Sequence, residues 1–254
     1  MLIKSLLINQ LFAGLVGIMC CYLSEKCKLF REGGCLFPNF CIKKFKIDKF
    51  FDLALLSETQ RKNVDLYLDA TNNDYNTFVE LSRIRSDILN FVKNGHNLYI
   101  YSSLTGNGKT SWAIKLLQAY ISKVWYEREL TCVCLFVSVP RYLLSIKDAI
   151  SNNNEYAKHI KANVLNADIV VWDDIATKGM TEFETENVLS IIDARINMGK
   201  SNIFTSNISK EELPLYVGDR LGSRIIGTSE PIQFFGQDKR ILSRGKVNDS
   251  TSNS

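Results

Sequence analysis

Leu98-Tyr99-Ile100-Tyr101-Ser102-Ser103-Leu104-Thr105-Gly106-Asn107-Gly108-Lys109-Thr110 is the stretch on which the fold turns. The apolar run Leu98–Tyr101 reads as a strand, and the amphipathic stretch 109–122 reads as a helix. Between them, Ser103 to Thr110 fits the phosphate-loop pattern G-x-x-x-x-G-K-[ST] with one departure, Ser103 at the first glycine position. The residue types follow from the chemistry. Backbone N–H groups at a helix N-terminus wrap phosphates, and glycines let the chain approach without a Cβ clash. Ser103 and Thr105 belong to the turn, Gly106, Asn107 and Gly108 to the close approach. Lys109 is expected to neutralise the β- and γ-phosphates, and the Thr110 hydroxyl to hold Mg²⁺. The competing reading is an ordinary glycine turn with an exposed lysine.

Outward from this loop, short apolar strands alternate with helices. The strands read as Leu98–Tyr101, Cys132–Val137, Ile169–Trp172, Asn202–Thr205 and Ile232–Phe235; the helices as 109–122, 139–151, 154–165, 182–198 and 216–225. Such alternation predicts an α/β fold, a mostly parallel sheet covered on both faces. Upstream, Ser57-Glu58-Thr59-Gln60 fits a capping box. A second helix begins near Asp74, carrying Phe78, Leu81, Ile84, Ile88, Leu89 and Val92 until Gly95.

Within this frame further residues carry chemistry. Asp168-Ile169-Val170-Val171-Trp172-Asp173-Asp174 is an apolar strand ending in two acids. Asp173 is the expected partner of Mg²⁺ through water, and Asp174 the group that positions or deprotonates the attacking water. Most ATPases of this kind carry Glu second, so the shorter Asp174 predicts slow hydrolysis. The alternative is a pair of acids that merely ends a buried strand at the surface. Asn207, just past the next strand, can hydrogen-bond the attacking water. Arg220 and Arg224, four apart, share a helical face. They could stabilise a transferring phosphoryl, or form a solvated basic face. Arg240 could contact the γ-phosphate from the same subunit.

Taken together, the phosphate loop, Val171-Trp172-Asp173-Asp174, Thr205-Ser206-Asn207, Asp219-Arg220-Leu221-Gly222-Ser223-Arg224 and Gln237-Asp238-Lys239-Arg240 resemble the DnaC/DnaI family of replicative helicase loaders, AAA+ ATPases, and most of all its phage or prophage versions. The resemblance spans roughly 21–245 and is strongest over 97–240. It implies ATP as the nucleotide, Asn207 as sensor 1, Arg224 as arginine finger with Arg220 beside it, and Arg240 as sensor 2. It also implies a homo-oligomer completed by the finger in trans, a replicative DNA helicase as partner, and single-stranded DNA contacts from Pro140–Asn154. Two other readings share the fold: an IstB-like transposition ATPase, and an adaptor that binds ATP with little hydrolysis. An initiator of the DnaA type is disfavoured, because only 14 residues follow Arg240.

Cys21, Cys27, Cys35 and Cys41 are spaced C-x5-C-x7-C-x5-C in a basic segment. Four thiolates can close a tetrahedral Zn²⁺ site and so fold a piece too small for its own core. Loaders of the DnaI type carry a cysteine zinc module, which strengthens this reading by resemblance. Cys20 could replace Cys21, and disulfides are the competing reading. Cys132 and Cys134 read as core, and His96 and His159 as structural or solvated.

Leu11 to Leu23 is apolar and follows Lys4, in the manner of a targeting segment. It is short for a span, which takes roughly 20 apolar residues. A packed N-terminal helix is the second reading; the third, adopted here, takes Met19 as the true start. The expected organisation is 1–20 leader, 21–46 zinc-binding module, 47–95 helical linker, 96–245 AAA+ ATPase domain and 246–254 disordered tail, in a cytoplasmic protein without a membrane anchor. Composition is compatible with this. Hydrophobic residues are 46% and charged residues 23% of 254, which excludes a largely disordered or fibrous chain. The net charge of +4 is too small to announce a nucleic-acid binder.

Overall fold

A computed structural model of the chain describes residues 30–31, 34–35, 41–62, 74–148 and 154–236. The chain divides into two compact units, Met1–Phe45 and Lys46–Ser254. In the first, β1 (Phe30–Arg31) pairs antiparallel with β2 (Gly34–Cys35), Phe30 opposite Cys35 and Arg31 opposite Gly34. Cys41 carries a free thiol whose sulfur accepts the Lys44 N–H at 3.4 Å. Cys20, Cys21 and Cys27 lie outside the described residues, as do the leader 1–20 and the tail 246–254. Among the described residues no cluster of His, Cys, Asp and Glu could hold a metal ion. No helix among them is long and apolar enough to cross a membrane.

The helices that lead into the second unit are α1 (Ile42–Leu53), α2 (Glu58–Arg61), α3 (Tyr75–Ser86) and α4 (Ile88–Lys93). The capping box at Ser57 is recognisable: its backbone N–H donates to Gln60 Oε1 at 2.9 Å. The apolar series beginning near Asp74 is split at Asp87 into α3 and α4, and of its members Leu89 is exposed.

A five-stranded parallel sheet follows: β3 (Asn97–Tyr101), β4 (Cys134–Ser138), β5 (Ile169–Asp173), β6 (Ser201–Ser206) and β7 (Ser229–Gln233), in the order β4-β5-β6-β3-β7. Between and after them run α5 (Lys109–Val124), α6 (Val139–Asp148), α7 (Glu155–Asn163), α8 (Glu182–Asn197), α9 (Leu213–Val217) and α10 (Asp219–Thr228). Side chains alternate across a strand. On one face Tyr99, Leu135, Val170, Trp172 and Phe204 join the buried residues of α6 to α10, among them Leu143, Ile160, Ile192 and Ile225. The alternate residues, including Leu98, Ile100, Val171 and Ile203, are equally buried, and α5 packs on β4, β5 and β6 and is backed by α3 and α4. Phe78 of α3 and Trp112 of α5 pack edge to face at 5.1 Å. Full burial of each such aliphatic chain contributes roughly 1.5–3 kcal/mol.

Most boundaries agree with the sequence expectation to within two residues, and three differences have a structural reason or consequence. The strand expected over Cys132–Val137 is β4, Cys134–Ser138, although both thiols are buried as expected. The helix expected over 216–225 is two helices, because Gly218 adopts φ 82 between α9 and α10. The last strand is Ser229–Gln233, with Pro231 inside it; as an outer strand it tolerates a residue without an N–H. The other outer strand, β4, gives its Phe136 N–H to the carbonyl of Ala54 at 2.9 Å. Beside that contact the Leu53 carbonyl faces His159 Nε2 at 2.8 Å and Cys132 Sγ at 3.3 Å.

At the amino ends of the strands sits a buried polar cluster. Arg195, fully buried, donates to the carbonyls of Ala167 (2.9 Å), Ser201 (2.6 Å) and Val164, and to Asn202 Oδ1 (2.7 Å). Burial pulls its pKa down to about 9, so it remains charged at neutral pH. The carboxyl ends are different, as the order of the strands requires. From β3 the chain crosses to β4 on one side, and from β6 it crosses to β7 on the other. The crevice between the carboxyl ends of β3 and β6 is therefore a topological switch point, where open α/β sheets bind ligands.

Candidate active site

The phosphate loop lies at this switch point, between β3 and α5. Gly106 and Gly108 have φ 71 and φ 103, a backbone that Cβ-bearing residues rarely adopt, so glycine is favoured both at the second glycine position of the pattern, Gly108, and at Gly106, where the pattern allows any residue. Positive φ among non-glycine described residues is confined to Leu55, Asp174 and Ala176. Ser103 therefore stands at the first glycine position without backbone strain. The loop is shaped from within. Ser102 Oγ accepts the Leu104 N–H at 3.1 Å and Asn107 Nδ2 at 2.6 Å, and the Ser102 N–H donates to the Ser206 carbonyl at 3.2 Å. Lys109 Nζ donates to the Leu104 carbonyl (2.8 Å) and Asn107 Oδ1 (3.2 Å). Gly108 is the N-cap of α5 and supplies no side-chain cap, so the amino end of this 16-residue helix opens on the loop. Thr105 is exposed at the loop's crown.

Three side chains from three elements converge beside it. Asp173 Oδ1 accepts the Thr110 hydroxyl at 2.8 Å and the Thr205 hydroxyl at 2.7 Å. Asp173 is buried, and burial pushes its pKa up to about 6. The Asp174 charge pushes the same way, whereas the Thr205 and Thr110 hydrogen bonds and the Lys109 charge oppose it. Asp174 follows in the left-handed region at φ 56 and is half-buried. That conformation accounts for the residue type, because Asp is several-fold enriched in it over longer side chains. Asn207 is half-buried one residue beyond β6, next to the Ser206 carbonyl that holds Ser102.

The donor set fits a Mg²⁺–nucleotide phosphate. Two hard oxygens, Thr110 Oγ1 and Asp173 Oδ1, stand together, and a lysine ammonium and the amino end of α5 belong to the adjoining loop.

The arginines are placed elsewhere. Arg220 pairs with Glu186 at 3.2 Å, and Arg224 pairs with Asp193 and donates to Asn197 Oδ1 at 3.1 Å, so both are held on α8 rather than on the loop. Arg240 lies outside the described residues; the chain leading to it is fastened by Asp74, whose carboxylate accepts the Phe235 and Gly236 N–H groups at 2.7 and 3.1 Å. Sequence reading passed over Ser102, Asn107 as a hydrogen-bonding member of the loop, and Thr205 as a partner of both acids. A polar residue at the end of each of two apolar strands was the available signal.

Fold and site together define an α/β phosphate-loop protein. The family model described as IstB-like ATP binding protein matches residues 55–227, and the chain belongs to that family. Among solved structures, the DnaC helicase loader superposes with a TM-score of 0.55 at 21% identity, covering 70% of this chain and 100% of that one. A putative primosome component from Streptococcus pyogenes serotype M3 gives 0.53 at 20%, covering 74% and 96%. The replication initiator DnaA bound to AMPPCP and single-stranded DNA gives 0.52 at 16%, covering 74% and 55%. At these identities the likeness establishes the fold. No curated protein matches the sequence significantly.

Proposed function

We propose that this chain is an ATP-dependent helicase loader, which binds a replicative DNA helicase and delivers it to single-stranded DNA. The observation that carries the reading is the junction of Thr110, Asp173 and Thr205 at the switch point, in a fold that spans the whole of the DnaC loader structure. In this reading Lys109 and the loop N–H groups bind the β- and γ-phosphates. Thr110 and Asp173 hold Mg²⁺, which supplies charge neutralisation between those phosphates when bound. Asp174 orients the attacking water and takes up its proton, and Asn207 donates to that water from the next strand. The Arg224 guanidinium, with Arg220 beside it, serves the site of a neighbouring copy, and Arg240 serves its own. Turnover is slow and stimulated by DNA, and the segment Pro140–Asn154 contacts that DNA. The cysteine module binds Zn²⁺ and meets the helicase.

ATP turnover with and without single-stranded DNA tests the reading. Lys109→Ala is expected to abolish the stimulated turnover, and turnover unchanged by that substitution removes the assignment. A second reading, an IstB-like transposition ATPase, is favoured by the family match over 55–227. Recovery of a transposase in place of a helicase, by tagged pull-down from the host, selects it.

A further inference from the structure

Thr205, wholly buried at the tip of β6, uses one hydroxyl to serve both acids. It accepts the Asp174 N–H at 3.0 Å and donates to Asp173 Oδ1 at 2.7 Å. The directions are forced. A backbone N–H can only donate, and a carboxylate can only accept, so the threonine proton goes to Asp173. Two more bonds fasten the same turn to the same strand. The Ile175 N–H donates to the Thr205 carbonyl at 2.9 Å, and Ser206 Oγ donates to the Ile175 carbonyl at 2.8 Å. Asp174 and Ala176 both have positive φ within this turn. Such a backbone is unfavourable for a residue with a Cβ and persists where its surroundings over-determine it. Asp173 is thus gripped from two elements, by Thr110 of α5 and by Thr205 of β6.

We infer that Thr205 is a positioning residue for ATP hydrolysis: its hydroxyl sets the Asp173 carboxylate toward the cation and holds the backbone turn that presents Asp174. It acts through these two acids and touches no substrate. The inference rests on the nucleotide reading of the site given above.

The test uses the full chain with Thr205→Val, which keeps the shape and removes the hydroxyl, and Thr205→Ser, which keeps the hydroxyl. Binding of a fluorescent ATP analogue is titrated with Mg²⁺, alongside steady-state turnover and thermal melting. Thr205→Val is expected to raise the Mg²⁺ concentration for half-maximal binding about tenfold and to lower kcat ~10–100-fold, the range for residues that orient metal ligands. Metal-free binding of the analogue, which reads the phosphate loop alone, stays at the parental value. Thr205→Ser restores both altered quantities. If Thr205→Val does not fold, Thr205→Cys, similar in volume and a poor donor, takes its place with the same expected direction. A parental Mg²⁺ midpoint and kcat in the Val or Cys variant overturns the inference, and so does a Ser variant as impaired as either. Loss of analogue binding in the parental protein sinks the site reading as well; parental binding with an unmoved variant sinks the inference alone.

Discussion

At Asp173 a single carboxylate oxygen takes two hydroxyl protons while burial resists its charge, and the result is a pKa of about 6. This is above the ordinary aspartate value of 3.8, so the folded chain holds the proton longer than the unfolded one. The stability from that proton is full below about pH 4 and is lost as pH rises through about 6. A proton on Asp173 removes the negative charge that would hold Mg²⁺. The Mg²⁺ midpoint for nucleotide binding is therefore expected to be flat above about pH 6 and to rise about tenfold per pH unit below it. Asp173→Asn should erase that slope together with hydrolysis; a slope that survives in this variant refutes the assignment. The two acids were legible in the sequence because an apolar run ends on them. Their threonine partner was not, since it depends on β6 lying between β3 and β5, a neighbourhood set by crossovers rather than by local pattern. Asp174 was legible only as a shortened glutamate; its left-handed backbone gives the residue type a different cause.

Between elements, the clearest electrostatic tie joins the end of α6 to the start of α8. Glu184 is buried, accepts the Thr181 N–H at 2.8 Å within a capping box, and pairs with Lys147 at 2.8 Å. Burial works against its charge, yet the Lys147 and Thr181 hydrogen bonds bring its pKa down to about 2. Because the folded value is depressed below the ordinary 4.5, this stability is full above about pH 4.5 and is lost as pH falls toward 2. Glu184→Gln is expected to lower Tm at pH 7 by about 5 °C, following the usual relation between stability and Tm for a chain of this size. The difference should vanish near pH 2, and an equal deficit at both pH values in thermal melts counts against the pairing. The capping box at Thr181 follows the same sequence rule as the one at Ser57. Gly218 could be seen in the sequence but not its φ, so α9 and α10 read as one helix. Arg195 escaped for the opposite reason. A charged residue in an amphipathic helix is assigned to the wet face, and only the fold brings four acceptors to it at the strands' amino ends.

For the molecule as a whole, strand–helix alternation was enough to give a parallel α/β sheet with its loop at the carboxyl ends. The position of Arg220 and Arg224 on α10, paired with α8 and away from the loop, gives the assembly reading a measurable form. Lys109→Ala and Arg224→Ala are each expected to be inactive alone and to recover about a quarter of parental turnover when mixed in equal amounts, because mixed neighbours assemble intact sites in trans. Additive inactivity at all ratios, in subunits shown to exchange, contradicts it. The outer strands have a consequence of their own. An uncovered strand presents unpaired N–H and C=O groups on which another chain can build. Pro231 removes one donor from β7, and on β4 the Ala54 carbonyl occupies the Phe136 N–H. The turn after α1 that carries Ala54 thus covers part of this edge. A fragment beginning at Ser57 should keep its phosphate loop yet self-associate, gaining β-rich aggregates by light scattering and thioflavin fluorescence at concentrations where the full chain stays clear.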